Sequence, residues 1–140
     1  MNKIAVTSQL PSFSIYEESI RLWALFVLTQ LHKNGFFLDV YLVDQRRMRF
    51  LNKHFRDKDS STNVLSFVEP VGFIDASCEG LSKAGEIYIS PLFVTQKKQS
   101  MQLMVVHGML HLFGFDHKTK KEREEMEKME DSLLELLGNK

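Results

Sequence analysis

Apolar and polar positions divide the chain into short runs whose period switches between two and about three and a half. Residues 4–7 form a first candidate strand. Ser14, with Glu17 three positions later, is a capping-box signature for a helix reaching about Asn34, with Gly35 at its C-terminal stop. Residues 36–43 are aromatic and β-branched, interrupted only by Asp39, and predict a strand. Asp44 then caps a helix extending to about His54, along which Met48, Leu51 and Phe55 form an inward stripe. Residues 63–68 and 86–89 predict two further strands, and the Pro-, Gly- and Ser-containing stretch 69–83 between them predicts a loop. Ser90-Pro91 opens one long helix to about Phe113. Thr119 with Glu122 caps a last helix, buried through Met126, Met129, Leu133 and Leu136 and ended by Gly138. The order β-α-β-α-β-β-α-α predicts an α+β (mixed α/β) fold. Its expected form is a single domain over residues 1–140, with a mixed sheet of about four strands covered by helices.

Composition narrows the class without naming a function. At 140 residues, 44% apolar and 26% charged, the chain has the make-up of one globular domain. A single cysteine, Cys78, excludes an internal disulfide and a multi-thiolate zinc site, and a reducing, cytoplasmic setting is expected. The most apolar run, residues 22–28, is far short of the ~20 residues of a membrane span, so no membrane association is expected. Cys78 has no motif around it and reads as a bystander, while the methionines read as core filler. His32 and His54 belong to no cluster and are expected at the surface or at helix ends.

The remaining three histidines fall in HGMLHLFGFDH, residues 107–117. His107 and His111 are four apart on a predicted helix, so both imidazoles leave one face and can reach one ion. On a continued helix His117 would be ~9 Å further along the axis and rotated away. Gly114 resolves this, because a glycine at a helix end can take positive φ and fold the chain back. The metal site is thus expected at the C-terminal end of a helix. Three imidazoles with a position left for water is the pattern of a catalytic rather than a closed structural zinc, with Ni²⁺ or Cu²⁺ as alternative occupants. The spacing equals that of the metzincin proteases, but Gly108 stands where those enzymes carry a general-base Glu. This disfavours peptide hydrolysis. Asp116 is read as capping the turn rather than as supporting a ligand.

Equal numbers of basic and acidic residues, 18 each, conceal a local bias. Six cations lie between Arg46 and Lys58 against one acid, Asp57, and Arg46, Arg49, Lys53 and Arg56 form a stripe at helical spacing. Such a stripe can contact phosphates, or simply be a solvated helix face. The mixed-charge run 118–131 reads as solvent-facing surface, and no function is assigned to it.

HGMLHLFGFDH is near-identical to the H-G-x-L-H-L-x-G-Y-D-H signature of the YbeY family of bacterial ribonucleases and rRNA maturation factors. LNKHFRDKDSSTNVLSF (residues 51–67) resembles a second segment of that family, and GEIYIS (85–90) a third. The resemblance implies a metalloprotein that cuts single-stranded RNA in small-subunit rRNA 3′-end maturation and ribosome quality control. Its partners would be an rRNA precursor and the small ribosomal subunit. It further implies one Zn²⁺ held by His107, His111 and His117, with Arg56 as the catalytic-site arginine. The stripe residues Arg46, Arg49 and Lys53 are candidate substrate contacts. Phe115 departs from the family's Tyr and Glu86 from its Asp, while Ser61 and Val68 stand where Pro is common. The stretch from Ser90 to His107 looks short for the family's two helices, hence the expectation of one. The competing reading is an assembly factor whose zinc is structural and which cleaves little RNA.

Overall fold

Alternation of apolar side chains builds the sheet from its centre outward. β2 (Phe36–Leu42) pairs in parallel with β1 (Lys3–Ser8) on one side and β4 (Ser82–Ile89) on the other. β3 (Val64–Val68) runs antiparallel along the far side of β4, giving the order β1-β2-β4-β3. This computed structural model describes residues 1–69 and 80–138. The described residues thus form the α+β domain that the pattern predicts, with one mixed four-stranded sheet.

The period of two sends Leu38, Val40 and Leu42 of β2 and Ile87 and Ile89 of β4 into the main core. That core is completed by Ile20, Ala24, Val27 and Leu28 of α1 (Glu17–Gln30) and by Val105, Val106, Met109 and Leu110 of α4 (Met101–Leu112). Met126, Leu133 and Leu137 of α5 (Lys120–Leu137) join the same cluster. A smaller cluster forms where Met48 and Leu51 of α2 (Gln45–Arg56) meet Val43 and Leu65, with Tyr41, Phe67 and Tyr88 partly buried against it.

Several local expectations are corrected. Residues Pro11–Tyr16 form a 3₁₀ segment, and α1 begins only at Glu17. Ser14 donates to the Pro11 carbonyl at 2.8 Å and Glu17 accepts from Ser8 Oγ at 2.5 Å, so their side chains are not available for a capping box. α1 ends at Gln30, short of Asn34. The single helix expected from Ser90 to Phe113 is two, α3 (Pro91–Gln96) and α4. Lys98 takes a left-handed φ of 55°, which ends α3, and Ser100 caps α4 by accepting from the Leu103 N–H at 3.2 Å. β4 begins at Ser82, four residues ahead of the expected start, inside the stretch read as loop. Phe55 and Leu136 face solvent rather than the core, and Leu137 takes the buried place expected of Leu136. Cys78 lies outside the described residues. His32, exposed two residues past the end of α1, has φ 57°, and His54 is exposed on α2, as expected of both.

The interruption at Asp39 has a structural reason. In the sheet Asp39 stands opposite Glu86, a like-charge pairing that would be unfavourable alone. Lys83 lies between them, its Nζ 3.5 Å from Asp39, 3.2 Å from Glu86 and 3.4 Å from Glu69. Burial by itself would depress the Lys83 ammonium, but Glu86 and Glu69 hold it above the ordinary lysine range. Burial and the Glu86 charge likewise push the Tyr88 phenol up to about 12. Lys83→Met should lower unfolding stability by roughly 2 kcal/mol at neutral pH in urea titrations, because three carboxylates lose a cation that they share. The folded-state pKa is raised, so this contribution is fully present below the unfolded lysine pKa of about 10.4 and is lost as pH rises through the folded value. The stability difference between the two proteins should therefore begin to narrow only above about pH 10.4.

Candidate metal centre

α4 places His107 and His111 one turn apart, His111 toward β3 residues Ser66 and Val68 and His107 toward α5. Between them Gly108 faces the sheet: an added Cβ would stand 3.1 Å from both Ile87 Cγ2 and Ser66 Oγ. Ser66 Oγ donates to the Gly108 carbonyl at 3.0 Å, tying β3 to α4 at this close approach. The position that carries a base in the metzincin spacing therefore points into the packed interior here, and a glutamate would not fit it.

The end of α4 folds back as expected. Gly114 has φ 95°; its N–H donates to the His111 carbonyl (3.3 Å) and the Phe115 N–H to the Leu110 carbonyl (3.0 Å). This pair of bonds is the Schellman arrangement, which closes the helix and reverses the chain. Asp116 Oδ1 then accepts from the His117 N–H at 2.7 Å, so Asp116 caps the turn, and that bond holds its carboxyl below the usual range. The result brings the three imidazoles together, with ring centroids 4.7, 5.1 and 6.0 Å apart. One nitrogen from each of His107, His111 and His117 lies within 4.8 Å of the others.

The donor set fits a transition-metal ion. Nε2 of His107 and Nε2 of His111 are 3.1 Å apart. Two nitrogens bound tetrahedrally at ordinary zinc distances would be about 3.3 Å apart. His107 Nδ1 lies 2.5 Å from Glu130 Oε2 on α5, an arrangement in which Nδ1–H donates to the carboxylate and the Nε2 lone pair is free for an ion. Burial holds the His111 imidazole below its ordinary value, assisted by the neighbouring His107 and His117 and opposed by Asp116 and a hydrogen bond with the Phe115 backbone. The neutral, metal-binding form of His111 is thereby favoured.

The cluster is open to solvent. His111 and His117 line a cleft of about 430 Å³ together with Arg56, Ser66, Val68 and Lys118. Arg56 is the last residue of α2, and among the described residues no ion pair occupies it. The structure does not bring Arg46 and Arg49 to this cleft. They line a different one beside Asp59 and Ser60, where Arg49 Nε is 2.7 Å from Asp59 Oδ1. Arg46 is ten residues from Arg56, ~15 Å along the helix axis. Lys53 is exposed on α2, where its charge helps hold Asp59 below the usual carboxylate range.

Glu130 was not anticipated, because it lies in the run read as mere surface. A signal was present: Glu130 falls on the stripe Met126, Leu133, Leu137, and a carboxylate in a buried stripe calls for a partner.

A mixed four-stranded sheet carrying three converging imidazoles at the turn after a helix defines an α+β protein with a solvent-open donor cluster able to hold a metal ion. Residues 6–138 match the family described as Endoribonuclease YbeY. Relatives bearing that name include one from Azorhizobium caulinodans, 41% identical over 72% of this chain and 67% of its own length. Another, from Coxiella burnetii, is 33% identical over 92% of this chain and 86% of its own. The solution structure of TM1509 from Thermotoga maritima shares the fold, with a TM-score of 0.55, 22% identity and coverage of 96% of this chain and 91% of that one. The chain belongs to the YbeY endoribonuclease family. Among the described residues, no helix is long and apolar enough to cross a membrane.

Proposed function

We propose that this protein is a zinc-dependent endoribonuclease of single-stranded RNA, with His107, His111 and His117 as metal ligands and Arg56 as a catalytic residue. Its place is in small-subunit rRNA 3′-end maturation and ribosome quality control in the cytoplasm, acting on rRNA precursor in ribosomal particles. The observation that carries this reading is the meeting of two members of the three-imidazole cluster, His111 and His117, with Arg56, which has no ion pair among the described residues, in one open cleft. Membership of an endoribonuclease family supports it independently. When bound, the ion supplies a Lewis acid for the scissile phosphate and lowers the pKa of water in the site. The chain's own residues do the rest. Arg56 offers a planar pair of donors to two phosphate oxygens and stabilises the charge that builds on them. His117, the most exposed of the three imidazoles, leaves the ion's approach from the cleft open to substrate. Glu130 fixes the His107 ring and its tautomer. Arg46, Arg49 and Lys53 contact more distant phosphates of the same strand, Arg49 exchanging Asp59 for RNA.

Incubation of metal-loaded protein with single-stranded and duplex RNA, with and without chelator, tests the reading. Cleavage confined to single strands and abolished by chelation is the expected result. Intact single strands at full metal loading would refute it. Glu130→Gln keeps the shape of the His107 partner but removes its charge, and should weaken metal affinity about 10–100-fold in competition with a chromophoric chelator.

A further inference from the structure

The metal centre and Arg56 account for a phosphate, but not for the bases on either side of it. α2 carries an unusual surface immediately before Arg56. Phe55 is 60% exposed and Phe50 55% exposed, although both are large apolar residues. His54 lies between them, its ring stacked on Phe50 with 6° between planes and meeting Phe55 edge-on at 4.9 Å. Phe55 in turn meets Phe67 of edge strand β3 at 5.2 Å. The rings are therefore held in place by one another while remaining in water. An exposed apolar patch of this kind marks a binding surface.

The charge around the patch selects its occupant. α2 contains five cations and no carboxylate from Gln45 to Arg56. The Arg47 guanidinium lies 5.5 Å from the Phe50 ring centroid, and Arg56 follows Phe55 directly in the chain. Aromatic faces interleaved with cations are the pattern that binds single-stranded nucleic acid, with rings taking bases and cations taking phosphates. We propose that Phe55, with His54 and Phe50, is a base-stacking platform that receives the nucleobases of the single strand whose backbone Arg56 holds at the metal centre. This assignment rests on the reading of the protein as a single-strand endoribonuclease and adds the substrate subsite. It also supplies a reason for strand selection, since bases paired in a duplex cannot open onto the rings.

The test compares a phosphorothioate oligouridine with its abasic counterpart, which has the same backbone charge, by fluorescence anisotropy on the metal-loaded protein. Phe55→Ala should weaken binding of the base-bearing strand roughly 5- to 150-fold, the range for losing one base–aromatic stack. Binding of the abasic strand, metal content and the slope of affinity against salt should stay as in wild type, because no phosphate contact is removed. Phe55→Trp should bind the base-bearing strand at least as well as wild type. Unchanged binding in Phe55→Ala overturns the platform, and so does an equal loss on both strands, which would mean that Phe55 only positions Arg56. Self-association of wild type that Phe55→Ala abolishes would assign the patch to a second copy of the chain instead. Failure of wild type to bind either strand removes the nuclease reading together with the platform, whereas wild-type binding without a Phe55 effect removes the platform alone.

Discussion

His111→Ala should leave a folded protein that no longer retains metal or cleaves RNA. His111 stands at the centre of the cluster, its Nε2 3.1 Å from that of His107, and its ring 5.1 Å from that of His117. Two remaining imidazoles hold an ion far more weakly, and the loss should exceed the roughly 10–100-fold expected from removing an outer hydrogen-bond partner such as Glu130. The fold should persist because α4 is anchored by Val105, Val106, Met109 and Leu110, all on its buried side. Thermal unfolding separates the two effects. Zinc at a hundredfold excess over its Kd should stabilise wild type by about 2.7 kcal/mol and leave the variant's Tm unmoved. The pH dependence of the metal-free protein provides a second check. The His111 pKa is lowered by burial and by its two neighbours. Its contribution to stability is therefore complete above the unfolded histidine value of about 6.5 and is lost as pH falls through the folded one. His111→Ala should be less sensitive to acid over that window.

The sites that the chain announces in sequence are those made by local geometry. His107 and His111 share a helix face by spacing alone, and the turn bringing in His117 is encoded by one glycine within the same eleven residues. The sheet was legible for a similar reason, since period-two alternation over 36–42 and 86–89 fixes which side of each strand is buried. Contacts between distant segments were not legible in this way. Glu130 reaches His107 across 23 residues, and nothing local to α5 distinguishes it from its acidic neighbours except its place in the buried stripe. Lys83 likewise makes sense only once β2 and β4 are paired, because it answers Asp39 from another strand.

Phe55 failed for a different reason. Its spacing from Met48 and Leu51 suits an inward stripe, but burial on α2 stops at Met48, Leu51 and Asn52, and Phe55 reaches only the Phe67 ring of edge strand β3. Phe55 is thus left largely in solvent, and Arg56 beside it lines the cleft with Ser66 and Val68. The helical period reports direction from an axis, not how far the neighbouring layer extends. The break between α3 and α4 was missed because its cap, Ser100, follows a polar run without glycine or proline, and Lys98 supplies the left-handed residue unaided.

Arg56→Ala is the substitution that distinguishes an enzyme from an assembly factor with a structural ion. Arg56 is outside the donor cluster, so metal content per chain should equal that of wild type. Cleavage of single-stranded RNA should fall by about 10²–10³-fold in kcat, the usual consequence of deleting one donor aimed at developing charge. Arg56→Lys should recover only part of the rate, because an ammonium keeps the charge but cannot hold two phosphate oxygens in one plane. The loss should be a rate effect more than a binding effect, since α2 keeps Arg46, Arg47, Arg49 and Lys53 for the backbone. Wild-type turnover in Arg56→Ala would remove Arg56 from catalysis. Full metal loading with no cleavage by either protein would instead favour the assembly-factor reading, in which the three imidazoles hold a structural ion.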